Sequence, residues 1–144
     1  MPVDSLAGDL LGLRVEMLED LEVSGLLIPE TMHVYVNARE ARESEGRRRF
    51  TVAHEIGHWV CQCDEGRVPP PEPIMCRDAD MADPVNKEYE REANNFAASL
   101  LMPEPAVREA AANGMGIDEA AEYFVVSDVA MRWRYFNLGI ADPG

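Results

Sequence analysis

The stretch from Arg47 to Val60 reads RRRFTVAHEIGHWV, and it organises everything around it. Its apolar residues from Phe50 to Cys61 recur at helical spacing. His54, Glu55 and His58 form the pattern HExxH. On a helix, positions four apart lie within about 40° of one another, so both imidazoles can hold one metal ion. Glu55 leaves the helix about 100° round from His54, which aims its carboxylate at an attacking water rather than at the ion and suits it as catalytic base. The chain has three histidines. Two of them stand in this motif, on a helical pattern, which is a poor match to a chance pair of satisfied surface histidines.

Zinc at a hydrolytic site takes a third protein ligand and keeps a fourth position open, and a carboxylate on a second helix is an established solution. Asp83 followed by Pro84 reads as an N-cap with proline at the first helical position. Val85, Tyr89, Ala93, Phe96, Ala97 and Leu100 then continue a helical face until Pro103. Glu88, Glu90 and Glu92 compete for the ligand role on this helix. Glu90 is preferred because Asn94 follows it by one turn, so one can bind metal while the other hydrogen-bonds a ligand imidazole. Gly57 fits the same picture, since glycine within a helix is tolerated where another backbone packs closely.

Working outward, Pro2 to Leu11 reads as a short helix, and Leu13 to Leu18, Ser24 to Ile28 and Met32 to Asn37 as three short strands of an antiparallel sheet. The last strand is the candidate edge on which an extended substrate could add. Residues Ala38 to Arg47 are charged and read as a turn. Asp64 to Asp83 carries Pro69, Pro70, Pro71 and Pro73 and reads as a long loop. Pro105 to Asn113, Ile117 to Phe124 and Ser127 to Asn137 show the start and stop signals of three further helices. The expected fold is therefore α+β: a small antiparallel sheet packed on the HExxH helix and a second ligand-bearing helix, with C-terminal helices closing the other side. Residues 1–144 are expected to form a single domain.

Composition narrows the function. A formal charge of −14 would repel a phosphate backbone, so direct nucleic-acid binding is disfavoured. No window is long and apolar enough to span a membrane, and the N-terminus lacks the pattern of a signal peptide, which predicts a cytoplasmic protein. Cys61, Cys63 and Cys76 are odd in number and read as reduced thiols rather than a disulfide framework. Cys61 sits at helical spacing from the motif and reads as a small buried apolar residue, and Cys76 could in principle place a thiolate on the zinc as a latch. His33 reads as a solvent-facing or structural histidine rather than a catalytic one. The last two helices could pass for a DNA-reading pair carrying Arg132 and Arg134. Ala130, Met131, Trp133, Phe136 and Leu138 instead suggest a helix packed on the catalytic core.

Two blocks, RRRFTVAHEIGHWV and EREANNFAASLLMP (Glu90 to Pro103), together with MHVYVNA and VSDVAMRWRYFNLGI, make the chain resemble the ImmA/IrrE family of zinc-dependent peptidases. That family is similar to a compact thermolysin-type, zincin-like enzyme. The resemblance implies one zinc ion per chain on His54, His58 and Glu90, Glu55 as base, and Asn94 where thermolysin-type enzymes carry a histidine-supporting aspartate. It also implies a protein substrate, a helix-turn-helix repressor whose cleavage derepresses phage, mobile-element or stress genes. A non-catalytic partner that sequesters a regulator, and a DNA-binding regulator, are the competing readings. Manganese or iron could serve the same ligands.

Overall fold

The computed structural model describes residues 2–63, 74, 75 and 84–143. A short helix α1 (Val3–Ser5) runs on into a π-helical turn (Leu6–Leu10). Strands β1 (Arg14–Leu18), β2 (Gly25–Ile28) and β3 (His33–Asn37) follow within a residue of their expected bounds. A two-residue strand β4 (Ile74–Met75) completes the sheet. Its order is β1-β3-β2-β4. On the β3 strand, Val34 and Val36 face the core while His33 and Tyr35 alternate to the half-exposed side, the period-two pattern read from the sequence.

Two expectations about this sheet need correction. It is mixed, because β2 pairs antiparallel with β3 and β4 but β1 pairs parallel with β3. The tight β2–β3 connection, closed by Met32 N–H donating to the Pro29 carbonyl, makes a hairpin. β1 runs opposite to β2 but lies on the far side of β3, so it must run alongside β3 in the same direction. For the same reason β3 is paired on both sides and cannot be the edge that accepts a substrate strand.

The charged segment after β3 is helical rather than a turn. Asn37 caps α2 (Ala38–Glu43) by accepting from the Glu40 N–H, and Ser44 caps α3 (Glu45–His58) by accepting from the Arg47 N–H. These side-chain oxygens satisfy N–H groups that the first turn of a helix leaves without partners. The motif helix therefore starts a full turn earlier than its apolar pattern suggested, and it leads into a second π-helical turn (Trp59–Cys63). Helices α4 (Pro84–Leu101), α5 (Glu104–Ala112), α6 (Ile117–Phe124) and α7 (Asp128–Leu138) follow. Ser127 caps α7, and Gly139 closes it in the left-handed conformation. Within the Asp64–Asp83 stretch read as a loop, Ile74 and Met75 instead form β4, paired antiparallel with Leu27 and Leu26 of β2; the rest of that stretch, the proposed Asp83 cap, the Cys63 side chain and the Cys76 latch lie outside the described residues.

The core is a continuous cluster that runs from Val3 and Leu13 through Leu27, Val34 and Val36 of the sheet to Val52 and Ile56 of α3 and Ala97 and Leu101 of α4. Two contacts fix α3 in it. The buried Arg49 donates from Nη1 to the carbonyls of Phe124 and Val125, at 2.9 and 2.6 Å, and so caps the C-terminal end of α6. Gly57 supplies the second: a Cβ built there would lie 3.0 Å from both the Ala93 Cα and its carbonyl oxygen. The absence of a side chain lets α3 and α4 approach backbone to backbone, as the helical glycine implied. No helix among the described residues is long and apolar enough to cross a membrane.

Replacing Gly57 by valine should wedge these helices apart. Valine is a better helix former than glycine, but overpacking against backbone outweighs that gain, for an expected net loss of about 2 kcal/mol in urea denaturation. The exposed control Ala112→Val should change stability by less than about 0.5 kcal/mol.

Candidate metal centre

His54 and His58 project from one face of α3, one turn apart, with ring centroids 4.7 Å apart and ring planes nearly perpendicular at 86°. Both side chains are buried. The close approach at Gly57 brings α4 alongside, and Glu90 enters between the two rings. Its Oε2 lies 2.7 Å from His54 Nε2 and its Oε1 lies 3.0 Å from His58 Nε2. Burial alone would push the Glu90 carboxyl up, but the hydrogen bonds and charges of His54 and His58 outweigh it and hold the group down at about 2. Glu90 is therefore an anion over the ordinary pH range.

The three residues fit a divalent ion. One ligand atom from each lies within 4.8 Å of the other two, and two imidazole nitrogens with one carboxylate oxygen form the mixed donor set that zinc and related ions accept. Burial keeps bulk water from competing for the same atoms. Of the three acidic candidates on α4, Glu88 is exposed and Glu92 half-buried, while Glu90 alone of them is buried against the imidazoles. Helical phase explains the selection, because positions 88 and 92 lie roughly 200° from 90 on either side.

The other two sequence-predicted residues stand differently. Glu55 is fully buried, with its carboxyl against β2: a Cβ built on Gly25 would meet the Glu55 Oε1 at 3.0 Å and the Thr51 Cγ2 at 2.6 Å. Asn94 is exposed in the wall of a cavity of about 610 Å³ that His54 and Glu90 also line. Glu55 is not among the residues lining that cavity. Sequence reasoning missed Gly25, whose lack of a side chain makes room for the Glu55 carboxyl. The available signal was an isolated glycine in an otherwise apolar strand, which often marks a close approach. It also missed the cap made by Arg49, which no local pattern encodes. His33, read as solvent-facing or structural, stacks on Tyr35 at 5.5 Å and pairs through Nδ1 with the Thr31 hydroxyl at 2.9 Å. Cys61 is half-buried.

Comparison with known proteins places the chain in a family. A family model for the IrrE N-terminal-like domain, Peptidase_M78, matches residues 16–135. The radiation response metalloprotease IrrE of Deinococcus radiodurans is 33% identical over 85 residues, which is 59% of this chain and 24% of that protein. A transcriptional regulator of Mycobacterium tuberculosis shares the fold at a TM-score of 0.66 and 20% identity, over 92% of this chain and 38% of that one. The chain thus spans 24% and 38% of the lengths of these two proteins.

Elemental mass spectrometry on protein purified without chelator should find about one zinc per chain. Glu90→Ala should lose it, and Glu92→Ala should keep it. Equal metal in both variants would remove Glu90 from the ligand set.

Proposed function

This chain belongs to the IrrE N-terminal-like family of peptidases, Peptidase_M78, and from that membership we propose that it is a zinc-dependent endopeptidase acting on a protein substrate. The observation that carries the proposal is the buried convergence of His54, His58 and Glu90, with Glu55 next in sequence to a ligand. His54, His58 and Glu90 would hold the metal ion, which when bound would acidify a water and polarise a peptide carbonyl. The protein's own residues supply the remainder.

Glu55 is the proposed proton carrier. Because it follows His54 directly, its carboxyl leaves α3 about 100° from the ligand imidazole and does not compete with it for the ion. It takes the proton of the attacking water and returns it to the leaving amine, so hydrolysis needs no covalent intermediate. Rotation about its side-chain bonds must carry one oxygen from Gly25 towards the cavity for this role, a movement of the kind that substrate binding often completes. Asn94, one turn beyond Glu90, places a neutral amide where it can support the ligand set or meet the substrate backbone.

The proposed substrate is a helix-turn-helix transcriptional repressor, cleaved to derepress phage, mobile-element or stress genes. The radiation response named for the Deinococcus relative and the regulatory role named for the mycobacterial one support that context. A basic DNA-binding substrate would also be attracted by a chain of net charge −14. We place this activity in the cytoplasm, where such repressors reside. A second reading, a non-catalytic partner that sequesters a regulator, draws on one observation: the Glu55 carboxyl packs against Gly25 and does not line the cavity.

Glu55→Gln separates the two readings. It should retain stoichiometric zinc and lower kcat/KM on a helix-turn-helix repressor by about 10²–10⁴-fold, followed by mass spectrometry of the fragments. Undiminished cleavage by the zinc-loaded variant would end the base assignment. Absence of cleavage by the wild type, with tight repressor binding, would favour sequestration.

A further inference from the structure

Helix α7 carries two apolar stripes at the same helical spacing. Met131, Tyr135 and Leu138 turn inward, the first two fully buried and Leu138 packed on the core. Val129, Trp133 and Phe136 repeat that spacing about half a turn away, on the opposite face of the helix, and remain 55%, 59% and 72% exposed. Trp133 and Phe136 were expected to pack on the catalytic core. They meet each other instead, edge to face, with centroids 5.7 Å apart. Tyr135 takes the inward position, where its hydroxyl donates to the Met115 carbonyl at 2.8 Å. A solvated tryptophan and phenylalanine in one stripe form the kind of patch that marks an interaction site.

The stripe is continuous with the metal centre. Val129 and Trp133 line the same cavity as His54 and Glu90. At about 610 Å³ that cavity can enclose side chains of an extended segment. Its charge also departs from the rest of the molecule. The sequence holds 27 acidic against 13 basic residues, yet among the described residues the cavity wall includes Arg47 and Arg134 and no acidic side chain besides Glu90. Arg47 is paired with Glu40 at 2.8 Å, whereas Arg134 is held in the wall by its Nε donating to the Met102 carbonyl at 2.9 Å. Arg132 is exposed on the same helix as the stripe.

We propose that the Val129–Trp133–Phe136 stripe and the adjoining cavity seat a bulky apolar side chain of the protein substrate, with acidic residues beside it on the substrate meeting Arg132 and Arg134. Seating that side chain selects which peptide bond reaches the centre at His54 and Glu90. The inference rests on the peptidase reading for its consequence. Recognition itself does not require turnover. An apolar seat on an otherwise acidic surface gives local selectivity: the general charge draws a basic protein in, and the arginine-flanked stripe picks out an acidic, apolar segment within it.

The test uses zinc-loaded Glu55→Gln protein, which would bind without cutting, and three fluorescein-labelled peptides read by fluorescence anisotropy. One has a Leu-Phe centre flanked by glutamates, the second the same centre flanked by lysines, and the third a Ser-Ser centre flanked by glutamates. The first should bind about tenfold more tightly than either of the others. Trp133→Ala should remove about tenfold of that affinity and Phe136→Ala a smaller factor, while the exposed Tyr123→Ala on α6 should leave it unchanged. Both truncated residues are exposed, so circular dichroism should show an intact fold. Equal affinity for the three peptides, or an unchanged value in Trp133→Ala, would overturn the proposal. So would sedimentation showing that the stripe holds a second copy of the chain while peptide binding is unaffected by its truncation. Failure of the peptidase reading looks different: the affinity order would persist while zinc-loaded wild type left the bound peptide uncut.

Discussion

The structure turns on how closely α3 and α4 can approach. Two histidines one turn apart on a single helix can face one ion, but they cannot supply the carboxylate that completes the set. The carboxylate has to arrive from elsewhere at hydrogen-bonding distance from both rings. Gly57 makes that possible by removing the one side chain that would stand between the helix backbones, and Glu90 then reaches both Nε2 atoms at once. The desolvation this entails is offset within the cluster itself, because the carboxylate and imidazoles satisfy one another where water is excluded.

Everything else holds α3 in the attitude that this convergence needs. The sheet supports one side, with Gly25 of β2 leaving space for the Glu55 carboxyl. At the other end Arg49 ties the helix to the carbonyls that end α6. Val125 there takes a left-handed conformation at φ 54°. That geometry is unfavourable for a β-branched residue. The Arg49 guanidinium accepts responsibility for two carbonyls that the helix end leaves unsatisfied, and this fixes the strained turn. A buried charge thus serves as the fastener between the motif helix and the C-terminal pair.

The C-terminal pair in turn shapes the approach to the centre. Since α7 is amphipathic twice over, one stripe can enter the core while the other borders the cleft. A helix with a single apolar face would close the domain and leave the cleft polar. The exposed stripe therefore carries information about what the site meets, which a purely structural helix would not.

Much of this was legible in the chain. The HExxH spacing, the second helix with Glu90 at its inner face, the three strand positions and the caps at Ser127 and Gly139 all follow from local rules of period, capping and turn chemistry. These rules act over a few residues, so a single sequence displays them directly. The sequence could not reveal that β3 lies inside the sheet, that Ala38 to Glu43 is helical, that the Glu55 carboxyl lies against Gly25, or which of the two stripes of α7 is buried. Strand order depends on where the β1–β2 connection passes. The identity of the inward stripe depends on which neighbours offer a cavity, and Trp133 and Tyr135 are equally apolar candidates until those neighbours are in place. Periodicity determined which residues share a face; only the tertiary structure decided which face met protein and which met water, because that choice belongs to the packing partners and not to the helix that carries it.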